Sequence, residues 1–393
     1  MNFRNLTAGL AAFCATTCLT TGLAFAQDNA AVQGNNTITI DADTVLQDTK
    51  VKDNVKGGIS RDTGWYPKLH IGGTAQVSYN NHVDGVTDGV AFTFGLVVNF
   101  GLDAVADFGK NGKLEWINTI DLEDQMTKTP TIDDFVKSKD KLDFQTLLKY
   151  RIPSADWLAP FLSFRLQTSL FPSAYLSDKN VIVRKYDYNT AIDGKDADVA
   201  EIGSTHKGLL DASSIARAQQ GYKLADSGNP LVLTEKVGLV LDAYESKPFN
   251  ASFQVALAGQ ELIVANDEDD DASTWQYVSF DDDSDDAYYD IRRIVDTNSL
   301  GLDVTADFKG VVVECFNWNV FGRLYYPFVV DEDHGLDGAD LIHAEIGAKV
   351  SVKISDWGSF DYTLEVKRDP FVTTLWQVST NVLFTVGFDI FGK

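Results

Sequence analysis

Apolar and polar residues alternate with a period of two over one long stretch of the chain, Val90 to Phe108. Its even positions are all apolar, whereas most of its odd positions are small, polar or acidic, among them Asp103 and Asp107. Successive side chains of a β-strand point to opposite faces, so this period is that of a strand. An ordinary soluble strand has only about five or six residues. The stretch therefore predicts a strand with lipid on one face and water on the other.

The same alternation recurs later in the chain, each time with polar or charged residues on the second face. The further segments are 142–151, 162–170, 300–307, 345–353, 360–367 and 384–391. A single segment of this kind also fits a half-buried soluble strand. The whole series, with charge repeatedly on the polar face, favours a membrane barrel with an aqueous interior.

Short and long connections alternate between these segments, as in outer-membrane barrels with short periplasmic turns and longer outer loops. The predicted strands lie near 67–80, 90–108, 112–125, 138–151, 157–170, 231–244, 248–264, 294–308, 311–326, 339–354, 359–367 and 371–391. We therefore predict an all-β fold, an antiparallel up-and-down transmembrane β-barrel of about twelve strands, with ten or fourteen as alternatives. One short turn is placed at Lys309-Gly310, and Ala and Leu content suggests a short helix over Leu209 to Gln219.

The N-terminus has the three parts of a secretory signal peptide. A basic start, Met1 to Arg4, precedes an apolar run from Leu6 to Phe25 and a small-x-small site at Ala24-Phe25-Ala26. The predicted organisation is a signal peptide over 1–26, a flexible acidic periplasmic tail over 27–64 and an outer-membrane β-barrel over 65–393.

Composition excludes several classes of function. The formal net charge of −24 makes nucleic acid an improbable partner, because phosphate binding needs a positive face. Outside the predicted signal peptide the chain has one cysteine, Cys315, so the mature protein forms no internal disulfide. No run of eighteen apolar residues follows the signal peptide, which argues against a transmembrane helix.

Candidate chemistry is sparse. The five histidines form no HExxH or other short metal-binding spacing, and no GxSxG motif marks a nucleophile. We therefore predict that the protein is not an enzyme and needs no cofactor.

Acidic residues are concentrated in one predicted outer loop near 265–293. Candidates for weak divalent-cation binding are Asp267, Asp269, Asp271, Asp281, Asp283 and Asp285, because Ca²⁺ and Mg²⁺ prefer carboxylate oxygens. Such ions would link the loop to anionic lipopolysaccharide. The alternative is a solvated, self-repelling surface, since no EF-hand spacing is present.

Charged residues also fall on the inward face of the predicted strands. The predicted lumen-lining set is Asp103, Asp107, Glu115, Asp121, Glu123, Asp143, Lys149, Arg151, Arg165, Asp303, Asp307, Glu345, Lys349, Asp361, Glu365 and Asp389. Mixed charges at this density either line a small aqueous pore or cross-link into a salt-bridged plug. A twelve-strand barrel is in either case narrower than a porin of about sixteen to eighteen strands.

Several motifs in the first half of the chain are shared with a known family. They are Trp65, Gly72-Gly73, Trp116-x-Asn118, Lys137-Ser138-x-Asp140-Lys141-Leu142, and Gln167-Thr168 followed by Phe171 and Tyr175. Over residues 64–180 the chain resembles an outer-membrane β-barrel family of unknown function, best known from Bacteroidota. It departs from that family at Asn80 to Gly85, where the family usually has a Trp and paired glycines. The resemblance implies a barrel in the outer membrane and brings no site residues with it.

These observations together predict a protein of the outer membrane of a Gram-negative bacterium. The function that we infer is porin-like passage of cations or small polar solutes through a narrow acidic lumen. The alternative is a closed barrel that acts as a structural or adhesion element through its long acidic outer loops. Predicted partners are outer-membrane lipid, lipopolysaccharide, the barrel-assembly machinery and divalent cations, without nucleic acid.

Overall fold

The structure is a computed structural model. It describes residues 62–80, 89–109, 112–128, 132–155, 157–177, 179–187, 209–245, 249–264, 274–277, 288–313, 315–331, 341–355, 357–368 and 376–391. The predicted signal peptide, nearly all of the predicted tail and the six candidate cation-binding aspartates lie outside the described residues. Within these described ranges, no helix has the length and apolar character needed to cross a membrane.

Eighteen strands make up the regular structure of the described residues. They are β1 Gly64–Asn80, β2 Gly89–Phe108, β3 Gly112–Lys128, β4 Val136–Arg151, β5 Leu158–Thr168, β6 Ser173–Tyr175, β7 Val181–Tyr186, β8 Leu209–Ala216, β9 Tyr222–Ala225, β10 Leu231–Glu245, β11 Phe249–Ile263, β12 Trp275–Tyr277, β13 Tyr288–Arg293, β14 Thr297–Val313, β15 Phe316–Val330, β16 His343–Ser355, β17 Gly358–Arg368 and β18 Gln377–Phe391.

Twelve of these strands form one closed antiparallel barrel in the order β1-β2-β3-β4-β5-β10-β11-β14-β15-β16-β17-β18, with β18 returning to β1. The predicted fold class and the predicted count of twelve are confirmed. Closure matters physically because it leaves no strand edge whose backbone groups would be unpaired in lipid.

The outside of the barrel is apolar. Leu69 pairs with Phe100 and Ile71 with Val98 across β1 and β2, so these side chains share one face. Neighbouring positions on that face are strongly exposed, as in Leu96 at 55%. An exposed apolar belt around a closed barrel is stable only when lipid covers it. The chain is therefore an outer-membrane β-barrel of a bacterium.

Aromatic side chains mark the end of the barrel that carries the short turns. This girdle consists of Trp65, Phe108, Trp116, Tyr150, Trp157, Tyr244, Phe249, Trp318 and Trp357. Trp65 and Trp116 meet edge to face, with ring centroids 6.4 Å apart. Aromatic rings favour the boundary between hydrocarbon and water, so the girdle lies at the periplasmic interface.

The predicted turn at Lys309-Gly310 is wrong. Strand β14 continues through Gly310 to Val313, and Gly310 pairs with both Phe249 of β11 and Trp318 of β15. The two rings stack across the glycine with centroids 6.0 Å apart. Gly310 therefore lies inside a strand, and the rings of its two neighbours cover the space that a side chain at this position would fill.

The described residues of two long outer connections, 169–230 and 264–296, fold together into a small unit that we call the cap. A four-stranded sheet in the order β12-β13-β7-β8 lies beside the two-stranded sheet of β6 and β9. The pairing of β13 with β7 is parallel and joins the two connections. The cap is anchored to the barrel by hydrogen bonds such as those from Leu170 N and Phe171 N to the Asp140 carboxylate on β4, 3.0 and 2.7 Å.

The cap has a core of its own, made from residues of both connections. Tyr175 stacks on Tyr289 with centroids 3.6 Å apart, and Val183 and Ile291 are fully buried beside them. On the opposite face of the sheet, Arg184 and Asp290 form a buried two-pronged ion pair, with Nε to Oδ1 at 2.5 Å.

The helix predicted over Leu209 to Gln219 is wrong, because Leu209–Ala216 forms strand β8. Its residues pair with β7, for example Ile215 with Ile182. Ala and Leu content is a weak indicator of helix, and pairing with a strand distant in sequence overrides it.

Candidate functional site: the lumen wall

The strand register places all sixteen predicted lumen positions on the face opposite the apolar belt. In β2 and β3, for example, Asp103 pairs with Ile117 and Asn99 with Asp121 on the inward face. The backbone positions of Glu365 and Asp389 also fall on this face, opposite Gly347 and His70. For Glu365 and Asp389 the structure describes the backbone but not the side chains.

A buried ion triad lies in the middle of the wall. The Asp303 carboxylate on β14 receives Arg323 Nη2 from β15 at 2.8 Å and Lys236 Nζ from β10 at 3.4 Å. The Lys236 side chain reaches across β11, where the facing residues Ala256 and Ala258 are small. The triad thus links β10, β14 and β15, and the Lys236 side chain spans the intervening β11.

A second ion cluster lies at the periplasmic end of β3, β4 and β10. Arg151 donates from Nε to Glu115 Oε1 at 2.5 Å. Lys149 lies 3.9 Å from Glu115 and 3.8 Å from Asp242, and Arg151 lies 3.7 Å from Asp242. The two contacts with Asp242 cross β5, which separates β4 from β10.

Two further ion pairs hold neighbouring strands together. Lys68 of β1 binds Asp103 of β2 at 2.9 Å. On β4, Asp143 accepts Arg165 Nε at 2.9 Å and also lies 3.3 Å from Lys141. A buried ion pair contributes little net stability, but loss of one partner leaves an uncompensated charge.

Three other predicted carboxylates accept hydrogen bonds from uncharged donors. Asp307 accepts the Asn319 side-chain amide at 2.9 Å, and Asp107 accepts the Thr63 hydroxyl at 3.1 Å. Asp361 accepts the hydroxyl of Thr385 at 2.8 Å. Amides and hydroxyls satisfy these carboxylates without adding positive charge to the wall.

Sequence reasoning missed several basic residues that share this wall. The described inward carboxylates are Asp103, Asp107, Glu115, Asp121, Glu123, Asp143, Asp242, Asp303, Asp307, Glu345 and Asp361, eleven in total. The described inward bases are Lys68, Lys113, Lys141, Lys149, Arg151, Arg165, Lys236, Lys309, Arg323, Lys349, Lys353 and Lys367, twelve in total. Among the described side chains, the wall is therefore balanced in charge, and the expectation of an acidic lumen needs correction.

Part of the inward face is apolar. Ile117, Leu147, Phe161, Val240 and Ala256 form a buried cluster from β3, β4, β5, β10 and β11. In the sequence, the only indication of this cluster is that some inward positions of the alternating segments carry apolar residues. Their packing fills one side of the barrel interior and excludes water from it.

The opposite side of the interior keeps contact with water. Inward residues of β5 and β11 are nearly all buried, whereas Lys349, Ser351 and Thr363 on β16 and β17 are half-buried. The inward side chains of Lys68 and Thr74 on β1 are likewise half-buried. The lumen is therefore asymmetric, with a filled wall from β3 to β11 and a wetter wall from β15 through β18 to β1.

Metal chemistry has no support among the side chains that the structure describes, which form no group of three or more His, Cys, Asp or Glu with metal-binding geometry. The candidate aspartates between 267 and 285 lie outside the described residues, so their cation binding stays a prediction.

Comparison with known proteins gives a general likeness to membrane barrels. No protein-family model matches the chain, and no curated protein matches it significantly. Among solved structures, the translocator domain of the autotransporter NalP from Neisseria meningitidis matches with 9% identity and a TM-score of 0.37, over 88% of this chain and 96% of that chain.

Two further matches are an outer-membrane channel and the toluene transporter TodX, both from Pseudomonas putida. The channel, from strain F1, has 8% identity and a TM-score of 0.36 over 84% of this chain and 98% of that chain. TodX has 8% identity and a TM-score of 0.31 over 84% of this chain and 90% of that chain. At such low values, no substrate or partner is carried over to this chain.

Proposed function

We propose that this protein is a porin-like channel that passes small polar solutes through a narrow lumen. The observation that carries the proposal is the asymmetry of the interior. Packed side chains fill the wall from β3 to β11, but polar inward side chains on β16, β17 and β1 remain half-buried. A barrel that served only as a scaffold has no need of a wet wall beside a packed one.

The finer expectation, passage of cations through an acidic lumen, loses its physical basis. It rested on counting inward carboxylates, and the described wall carries as many basic as acidic side chains. Ion preference then depends on which charges water and solutes reach, and not on the net charge of the wall.

A second candidate function is a closed barrel with a structural or adhesion role. Two observations favour it: the ion pairs that cross-link the filled wall, and the cap with its own core at the outer end. We further propose that the protein contacts lipopolysaccharide, that the barrel-assembly machinery inserts it, and that its acidic loops bind cations weakly. Its membership of the outer-membrane family of unknown function also stays a prediction.

Single-channel recording of the refolded full-length protein in a planar bilayer separates these candidates. We expect discrete, small conductance steps, lower than those of barrels with about sixteen strands, because the lumen is narrow and half filled. Heat-modifiable migration on gel electrophoresis establishes that the barrel is folded. A folded barrel that inserts without conductance contradicts the channel proposal and favours the structural role.

A further inference from the structure

Acidic and basic side chains of the lumen differ in how far water reaches them. Of the eleven described inward carboxylates, eight are buried, and only Asp107, Glu123 and Asp242 are exposed or half-buried. Of the twelve described inward bases, eight are exposed or half-buried. Those eight are Lys68, Lys113, Arg151, Lys309, Arg323, Lys349, Lys353 and Lys367. The charges that a solute meets in the described lumen are therefore mostly positive.

The same difference appears within individual ion pairs. The Lys68 side chain is 19% exposed and that of its partner Asp103 is 2%. For Arg323 and Asp303 the fractions are 11% and 1%. Asp242 is the exception, more exposed than the two bases beside it.

Side-chain length explains this arrangement. An aspartate holds its carboxylate one methylene from the backbone, so the charge stays against the wall. Lysine and arginine carry their charge at the end of a long flexible stem, which extends over the carboxylate toward the water. A pair such as Lys68 with Asp103, or Arg323 with Asp303, is thus a dipole whose positive end points into the lumen.

Two basic side chains occupy the middle of the wetter wall. Arg323 lies at the centre of β15 and Lys349 at the centre of the adjacent β16. Lys349 pairs in register with Asn319 and Thr363, both uncharged, and makes no salt bridge with a described side chain. Lys349 is half-buried as a residue, so part of its surface remains open to solutes.

We infer that the lumen prefers small hydrophilic anions, such as inorganic anions and short carboxylates, over cations. This inference rests on the proposed channel function and names its solute class. Positive groups at the water boundary raise the local concentration of anions, whereas the buried carboxylates act through a layer of basic side chains. The preference is the opposite of the one that the carboxylate-rich sequence predicts.

The test is the reversal potential of the refolded full-length protein in a KCl gradient. Recording near 0.1 M salt keeps the screening length at about 10 Å, so charged groups on the lumen wall still act on ions along the solute path. We expect a reversal potential of the sign that gives a chloride-to-potassium permeability ratio above one.

Charge reversal at Lys349 locates the effect. Reversing a unit charge about 8 Å from the solute path, in a water-like dielectric with a screening length of about 10 Å, changes the concentration of each ion slightly more than about twofold, in opposite directions for chloride and potassium. Lys349→Glu is therefore expected to lower the chloride-to-potassium ratio about fivefold, and Lys349→Gln by less. The matched control is Lys223→Glu, the same charge change on an exposed cap residue, which should leave the ratio unchanged.

The outcomes are separable. A conducting wild-type barrel with cation preference, or a ratio that Lys349→Glu leaves unchanged, overturns the anion inference while the channel function stands. A folded, inserted and silent barrel overturns both.

Discussion

Asp303→Asn is expected to destabilise the barrel by about 3 kcal/mol or more. The substitution keeps the shape of the side chain but removes the charge that Arg323 and Lys236 share. Asp303 is only 1% exposed, so water cannot replace its carboxylate. Two cations would then lose the carboxylate that they share, and breaking a buried pair costs about 3 to 5 kcal/mol. Urea unfolding in lipid vesicles, followed by tryptophan fluorescence, measures the change.

Asp107→Asn is the control for that substitution. Asp107 also points inward, but it is exposed at the periplasmic end of β2 and accepts only a threonine hydroxyl among its described contacts. We expect a change below about 1 kcal/mol, because surface charges contribute little. If Asp303→Asn is as mild as Asp107→Asn, the triad is not a buried unit.

Val255→Arg is expected to cost about 2 to 4 kcal/mol of the free energy of unfolding. Val255 lies in the middle of β11 on the outward face, 41% exposed, and pairs with Leu239 and Val304 of the adjacent strands. An arginine on the lipid face near the bilayer midplane loses its hydration without gaining a partner. The same vesicle unfolding assay measures the loss.

Ile263→Arg is the matched control on the same strand and the same face. Ile263 is also 41% exposed, but it is the last residue of β11 at the outer end. The penalty falls to about 0 to 1 kcal/mol near the interface. Equal losses at both sites would place the membrane elsewhere on the barrel.

The barrel could be predicted from the sequence because its wall obeys a local rule. Each strand in lipid must be apolar on one face, so alternation in segments such as Val90 to Phe108 is a direct consequence of where the strand lies. Turn placement is less secure. Gly310 has the composition of a turn but lies inside β14, because Phe249 and Trp318 cover it from the neighbouring strands.

The cap could not be predicted because no local pattern encodes it. Its central contact is a parallel pairing between β7 and β13, which come from two different outer connections. Short strands such as β8 gain their conformation from pairing with β7. Their own residues are compatible with helix, which is why composition alone misled.

The lumen was predicted in part. The alternation of side chains along each strand predicts that the carboxylates lie on the inward face. It gives no information on how far each carboxylate is exposed, or on which residues of other strands bind it. Lys236 reaches Asp303 across β11, and Arg323 reaches the same carboxylate diagonally from β15. Such contacts depend on register and on side-chain length, which become visible only once the strands are aligned.

The proposed channel depends on a wet wall beside a filled one, and cysteine accessibility tests this most directly. In a background in which Cys14, Cys18 and Cys315 are all replaced by serine, Thr363→Cys and Ser163→Cys place single thiols on opposite sides of the interior. Thr363 is half-buried, whereas Ser163 is 6% exposed on β5. Reactivity of a thiol follows its access to solvent.

The measurement is the single-channel current before and after addition of a water-soluble methanethiosulfonate reagent. We predict that the reagent modifies Thr363→Cys rapidly and lowers its current, while Ser163→Cys stays unmodified and conducts as before. Protection of both thiols would mean that the interior is sealed. Equal reaction of both would mean that no packed wall exists, and either result contradicts the asymmetric lumen.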